Sequence, residues 1–247
     1  MTSPARTARL ARYALWQGLD FAREKGLAIA LILAALTVGT VSLTTSGDAP
    51  TFRGPGGAAN LARFTFQLIS SISTALIVIS FTGLSGFDRA QGFTRFYFAK
   101  PLVPSAFYAQ KWVVHLACLS LIVAVWLGLL AAVYGPFDVG PTLQAFVLRT
   151  VLYGGVIFLL SALVSADIAA FSGVFLGGEL LNILAGDRVW ATNLVLWVFP
   201  WRRFSDIDAR LVQQVTLPLP HVAHIVGVGL GCVVAGVFVL RSRRLTQ

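Results

Sequence analysis

The chain has 247 residues, is 57% hydrophobic and 12% charged, and carries a formal net charge of +9 with mean hydropathy +0.79. So much apolar surface excludes a soluble domain of this size, because runs of about 20 apolar residues are what cross roughly 30 Å of hydrocarbon at 1.5 Å per residue. Alternating strands of about ten residues are missing, which argues against an outer-membrane barrel. The positive charge fits the cytoplasmic loops and helix ends of a membrane protein better than it fits nucleic acid.

Thr7 to Lys25 read as an amphipathic helix ahead of the first apolar run. At 100° per residue Leu10, Ala11, Ala14, Leu15, Leu19, Phe21 and Ala22 share one arc, while Arg9, Arg12, Asp20 and Arg23, with Tyr13 and Trp16 among them, share the other. Such a helix lies in the bilayer interface, and Arg12, Tyr13, Trp16 and Arg23 are its candidate headgroup contacts. Asp20 and Glu24 and the length of this region speak against a cleavable signal peptide.

Six apolar runs follow, at 27–45, 64–84, 112–134, 143–165, 168–186 and 221–240. The expected fold is all-α and integral to the membrane, with an N-terminal segment 1–26 and a single transmembrane domain 27–247. Ser46 to Arg63 form a glycine- and proline-rich loop. Gln67, Ser70, Ser71, Ser73 and Thr74 sit in the first half of the second run, where hydroxyls are expected to bond a neighbouring helix. His115 falls in the first turn of the third run and reads as structural. Only Ala166 and Asp167 separate the fourth and fifth runs, which predicts a tight hairpin. Between the fifth and sixth, Val189 to Phe199 are too few to span, so a re-entrant or interfacial helix is expected, followed by the polar stretch WRRFSDIDARLVQQ.

The most distinctive stretch is Gly86 to Trp112, GFDRAQGFTRFYFAKPLVPSAFYAQKW. Asp88, Arg89, Arg95, Lys100 and Lys111 set four positive charges against one negative. Gly92 precedes the cluster Phe93, Arg95, Phe96, Tyr97 and Phe98, and Pro101 and Pro104 break the chain before a helix starting near Ser105. The order Asp88-Arg89, Gly92, Arg95, Pro101, Tyr108, Lys111 resembles the connector between the second and third spans of ABC-2 type exporter permeases (type V exporter-like). That resemblance implies six spans, an elbow helix before the first, and a link between spans five and six that dips into the outer leaflet. It implies that residues 86–111 form a cytoplasmic coupling segment, with Asp88, Arg89, Gly92, Phe93, Arg95, Lys100 and Pro101 meeting an ABC ATPase subunit. The partners it implies are two ATPase copies, which bind ATP and Mg, a second copy of the chain or a homologous permease, the lipid bilayer and an accessory subunit.

Orientation follows the basic residues. With the N-terminus inside, Arg6, Arg9, Arg12, Arg23, Lys25, Arg89, Arg95, Lys100, Lys111, Arg241, Arg243 and Arg244 are cytoplasmic, which is 12 of 19. The expected location is the cytoplasmic (inner) membrane of a prokaryote, multi-pass, with both termini cytoplasmic.

Charges inside spans cost about 2.5 to 3.5 kcal/mol and need a reason. Glu179, one turn before Asn182, and Arg149 stand out, and with Gln67 they are candidates for a translocation path or dimer seam. Counted from the hairpin, Arg149 and Glu179 differ in depth by about 9 Å, so a direct salt bridge requires tilted helices or stretched side chains, and each is expected to meet a polar neighbour inside the bundle. Gly173/Gly177 and Gly227/Gly231 have the spacing that lets helices approach closely. Cys118 and Cys232 read as buried thiols, and His221 with His224 lack a third metal ligand nearby. No G-x-x-x-x-G-K-[ST], H-E-x-x-H or serine–histidine constellation occurs, so the chain is expected to transport without an ATPase or other enzyme site of its own. The alternative is a non-transporting scaffold or anchor in a membrane complex.

Overall fold

The computed structural model describes residues 4–45, 57–85, 104–164, 166–185, 198–212 and 218–242. Among them every regular element is helical: α1 (Pro4–Phe21), α2 (Leu27–Thr45), α3 (Gly57–Phe81), α4 (Pro104–Tyr134), α5 (Gly140–Leu163), α6 (Asp167–Ala185), α7 (Phe204–Val212) and α8 (Leu219–Ser242). A five-residue π turn, Ala22–Gly26, joins α1 to α2, and a 3-10 turn, Pro200–Arg203, leads into α7. Four stretches are long and apolar enough to cross a membrane: Ala59–Phe81, Ser105–Tyr134, Gly140–Leu163 and Leu219–Ser242. The chain is a multi-pass membrane protein. Helices also occupy the first and fifth predicted runs, although Leu27–Thr45 and Asp167–Ala185 are not among those four.

Helix ends depart from the hydropathy boundaries for a simple reason: a helix tolerates polar residues at its ends, whereas an apolar window stops at them. Helix α3 begins at Gly57 rather than Phe64, taking in Asn60 and Arg63, so the expected loop loses its last seven residues to the helix. Helix α4 begins at Pro104, and residues 104–111 of the expected connector are its first turns. His115 therefore lies in the fourth turn of its helix, not the first. Helix α6 starts on Asp167 itself.

Contacts divide the chain into two compact units, Met1–Ser80 with Val114–Val147, and Phe81–Val113 with Leu148–Gln247. The first is built on Phe21, Ile29, Leu33, Phe66, Ile69, Leu119, Val123 and Trp126. The Trp126 indole donates to the Leu33 carbonyl (3.1 Å) and to Thr37 Oγ1 (2.9 Å), fixing α2 on α4. On its other side α4 exposes Leu121, Val125, Leu129 and Val133, successive residues four apart. An uninterrupted apolar stripe of that kind suits lipid.

Two expectations change here, those for α1 and for the α3 hydroxyls. In α1 the apolar arc splits: Phe21 and the polar Gln17 are buried, while Leu15 (71% exposed) and Leu19 (59%) face outward with Trp16, Arg12 and Arg23; Tyr13 is half-buried. Packing against the unit takes one half of the arc and leaves the other exposed. Two of the clustered α3 hydroxyls turn back on their own helix, Ser71 to the Gln67 carbonyl (2.9 Å) and Ser73 to that of Ser70 (3.0 Å). Back-bonding of this sort satisfies a hydroxyl without a neighbour. His115 is buried and pairs Nδ1 with the Ser80 carbonyl at 2.6 Å, with the Phe21 ring edge-on at 4.8 Å. A carbonyl only accepts, so Nδ1 carries the proton; Lys25 Nζ donates to the same oxygen at 2.9 Å. Two donors thus satisfy a carbonyl in the last turn of α3, where helical partners run out.

The core of the second unit is built on the part of α5 from Leu148 onward, where Leu152, Tyr153, Ile157, Phe158 and Ala162 are buried. Gly155 and Gly229 bring α5 and α8 into backbone contact: a Cβ on Gly229 would lie 2.6 Å from the Val151 carbonyl oxygen. In contrast Gly173, Gly177, Gly227 and Gly231 have open space where a Cβ would be. Among the described residues, the G-x-x-x-G positions have no neighbour within 4 Å of such a Cβ.

Candidate functional site

Of the connector, Asp88, Arg89, Gly92, Phe93, Arg95, Lys100 and Pro101 lie outside the described residues. The second unit does describe the root from which that segment departs, the turn at residues 82–85. Gly83 sits just past the end of α3 with φ +74°, a left-handed conformation that ends helices and that glycine adopts without strain. Its N–H donates to Asp167 Oδ2 at 2.7 Å. The other oxygen of Asp167 accepts from the Ile168 N–H at 3.0 Å, so one buried carboxylate serves both the turn and the first turn of α6. A carboxylate at a helix N-terminus is favoured by the free N–H groups there. Next along the turn, the Lys111 ammonium donates to the Leu84 carbonyl at 3.3 Å. The Ser85 N–H donates to Ser161 Oγ at 3.0 Å, and the two hydroxyls share a bond at 3.1 Å. Three consecutive residues, 83 to 85, are held by side chains from α4, α5 and α6.

A second polar cluster of the same unit surrounds Arg149. Its guanidinium forms an ion pair with Asp208 of α7 and lies 5.0 Å from the Phe204 ring centroid. Buried at 5% exposure, Arg149 could not stay charged at low cost without such a partner. Around the pair, Tyr153 meets Phe171, Phe175 and Phe204 edge-on at 6.0, 6.4 and 5.8 Å, and Phe175 stacks on Trp201 at 5.6 Å. The polar neighbour expected for Arg149 thus exists, in a stretch that carries the sequence FSDIDARLV. Its signal was present in the sequence: Trp201, Phe204, Ile207 and Leu211 recur at three and four residues and are all buried, with Asp208 flanking that face.

The remaining candidates are not gathered into one place. Glu179 is half-buried on α6, the side chain of Asn182 lies outside the described residues, and Gln67 is exposed in the first unit. Among the described residues no group of three His, Cys, Asp or Glu side chains could hold a metal ion, and Cys118 and Cys232 are free and half-buried. The described helix between the fifth and sixth runs, α7, lies in the polar stretch, whereas residues 189–197 of the expected re-entrant piece fall outside the description.

Compared with known proteins, the chain matches no family model, no curated protein and no solved structure.

Proposed function

We propose that this chain is the membrane-spanning subunit of an ATP-driven exporter, with six spans and both termini in the cytoplasm of a prokaryote. In this reading it works as a dimer with two separate ATPase subunits, which supply the ATP and Mg chemistry. The ATPase contact is the connector, through Asp88, Arg89, Gly92, Phe93, Arg95, Lys100 and Pro101. One observation carries the reading: the root of that connector is bonded at Gly83, Leu84 and Ser85 to Asp167, Lys111 and Ser161. A push on a freely hinged loop would dissipate in the loop. A push on this one reaches the first turn of α6 and the last turn of α5 through bonds of 2.7 and 3.0 Å. The α5–α6 corner then moves with the connector, which is what coupling to a cytoplasmic motor requires.

The test is affinity purification of the tagged chain from its native membrane, with Arg89→Glu and Arg95→Glu beside the wild type. An ATPase should co-purify with the wild type, and the charge reversals should lower its recovery or separate ATP hydrolysis from transport while leaving membrane insertion intact. If no ATPase is recovered, or if both variants retain full recovery and transport, the reading is wrong.

A further inference from the structure

The ion pair at Arg149 fixes the depth of α7. Arg149 is nine residues from Gly140 and fourteen from Leu163, so it lies about 14 Å from one end of α5 and about 21 Å from the other. The whole helix, 24 residues, is about 36 Å long against about 30 Å of hydrocarbon. Centred in a bilayer, Arg149 is then about 11 Å inside the nearer hydrocarbon boundary, whichever way the chain is oriented. Asp208 is bonded to it and Phe204, which also meets Tyr153 one turn further along α5, lies against it, so α7 is anchored at these two residues within a side chain's reach of that depth.

At that depth α7 has two unlike faces. Phe204, Ile207 and Leu211 are buried in the unit. Ser205, Asp206, Ala209 and Arg210 are exposed and fall within about 140° of the helix surface. The exposed faces of the neighbouring helices in the same unit are different: α6 shows Leu176, Leu180, Ile183 and Leu184, and α8 shows Leu230, Val234 and Phe238. Those faces suit lipid. The face of α7 does not, because a charged side chain in hydrocarbon costs about 2.5 to 3.5 kcal/mol and Asp206 and Arg210 present two. A segment at membrane depth that is not a full span is tolerated where it is buried in protein or borders water.

We propose that Ser205, Asp206, Ala209 and Arg210 line a water-filled recess within the membrane thickness, one wall of a hydrophilic path. Asp206 and Arg210 stand four residues apart on that wall with opposite charges, so the lining attracts water and polar or zwitterionic groups without selecting ions of one sign. The inference rests on α5 spanning the membrane and not on the ATPase partner: failure to recover an ATPase would leave it standing.

Thiol accessibility tests it. In a full-length Cys118→Ala/Cys232→Ala background, single cysteines replace Ser205 and Ala209 in the recess, and Leu180 and Val234 on the lipid-facing helices. Sealed vesicles of both orientations are treated with a sulfonated methanethiosulfonate, which does not enter hydrocarbon, and labelling after detergent denaturation gives the total thiol. Ser205→Cys and Ala209→Cys should react at least tenfold faster than Leu180→Cys and Val234→Cys from one side. Rates for both recess positions equal to the lipid-facing pair, from either side, would overturn the proposal. So would slow labelling together with copper-catalysed disulfide formation between copies at Ala209→Cys, which would make this face a protein seam. Both recess substitutions are small for small, and the Arg149–Asp208 pair is untouched, so the readout does not depend on a damaged fold.

Discussion

Asp208 and Asp167 are two aspartates of one compact unit, and they do different work. Asp208 faces a guanidinium, side chain to side chain, amid aromatic rings. Asp167 faces two backbone N–H groups, those of Gly83 and Ile168. The first interaction neutralises a charge that the interior cannot otherwise hold, so its loss strands the partner. The second fixes where a turn sits relative to a helix start, so its loss frees a geometry without leaving a bare charge. Buried polar contacts therefore differ in kind: one decides whether a segment stays in the fold, and the other decides where a turn sits against a helix start.

Breaking the Asp208 contact should produce the largest effect. Asp208→Ala leaves Arg149 buried and unpaired, a loss of about 3 to 5 kcal/mol, which thermal unfolding in detergent or nanodiscs would register as a large downward shift. The double variant Arg149→Met/Asp208→Leu removes both charges and should recover most of that shift, since apolar replacement of a buried pair is close to neutral. A single variant as stable as the wild type would mean that the pair is hydrated rather than buried.

What the sequence made legible, and what it did not, follows the same division. Helices at all six apolar runs could be read because apolar composition over a helix's length is a property of each run by itself. The pairing of Arg149 could not be found by counting depths along a hairpin, because its partner arrives from a segment that looks polar until its three- and four-residue apolar spacing is noticed. Asp167 carries a local sign, an acidic residue opening an apolar run, yet its second bond goes to Gly83, 84 residues away. Glycines give the clearest case. Both G-x-x-x-G pairs face open space, whereas Gly155 and Gly229, which share no such motif, bring two helices together. Spacing shows that a helix can be approached closely; it does not say by what.

That contrast yields a prediction of intermediate size, purely steric and independent of charge. Gly155→Ala places a methyl against the Gly229 backbone, which cannot rotate aside, so α5 and α8 must part. Overpacking of this kind costs about 1 to 3 kcal/mol. Gly173→Ala, in open space, should stay within about 0.5 kcal/mol of wild type. Equal destabilisation by the two, in matched melting curves, would mean that Gly173 meets a partner outside this chain and that the motif is used between subunits after all.

Among the substitutions that break a contact, the smallest change in stability belongs to Asp167→Asn, and it sharpens the comparison most. The amide keeps one acceptor oxygen and turns a donor toward the other N–H, so one of the two bonds is lost, at about 1 kcal/mol. Thermal unfolding will scarcely separate that from wild type, but backbone hydrogen exchange will. Gly83 should exchange faster in the variant, while the Ser85 amide, held by Ser161 Oγ at 3.0 Å, keeps its protection. Ser161→Ala should reverse the pattern, exposing Ser85 and sparing Gly83. If either variant loosens both amides together, the turn is a single cooperative unit and the two anchors are redundant. If they loosen separately, the root of the connector is held at two points, and the carboxylate at the start of α6 is the one that ties it to that helix.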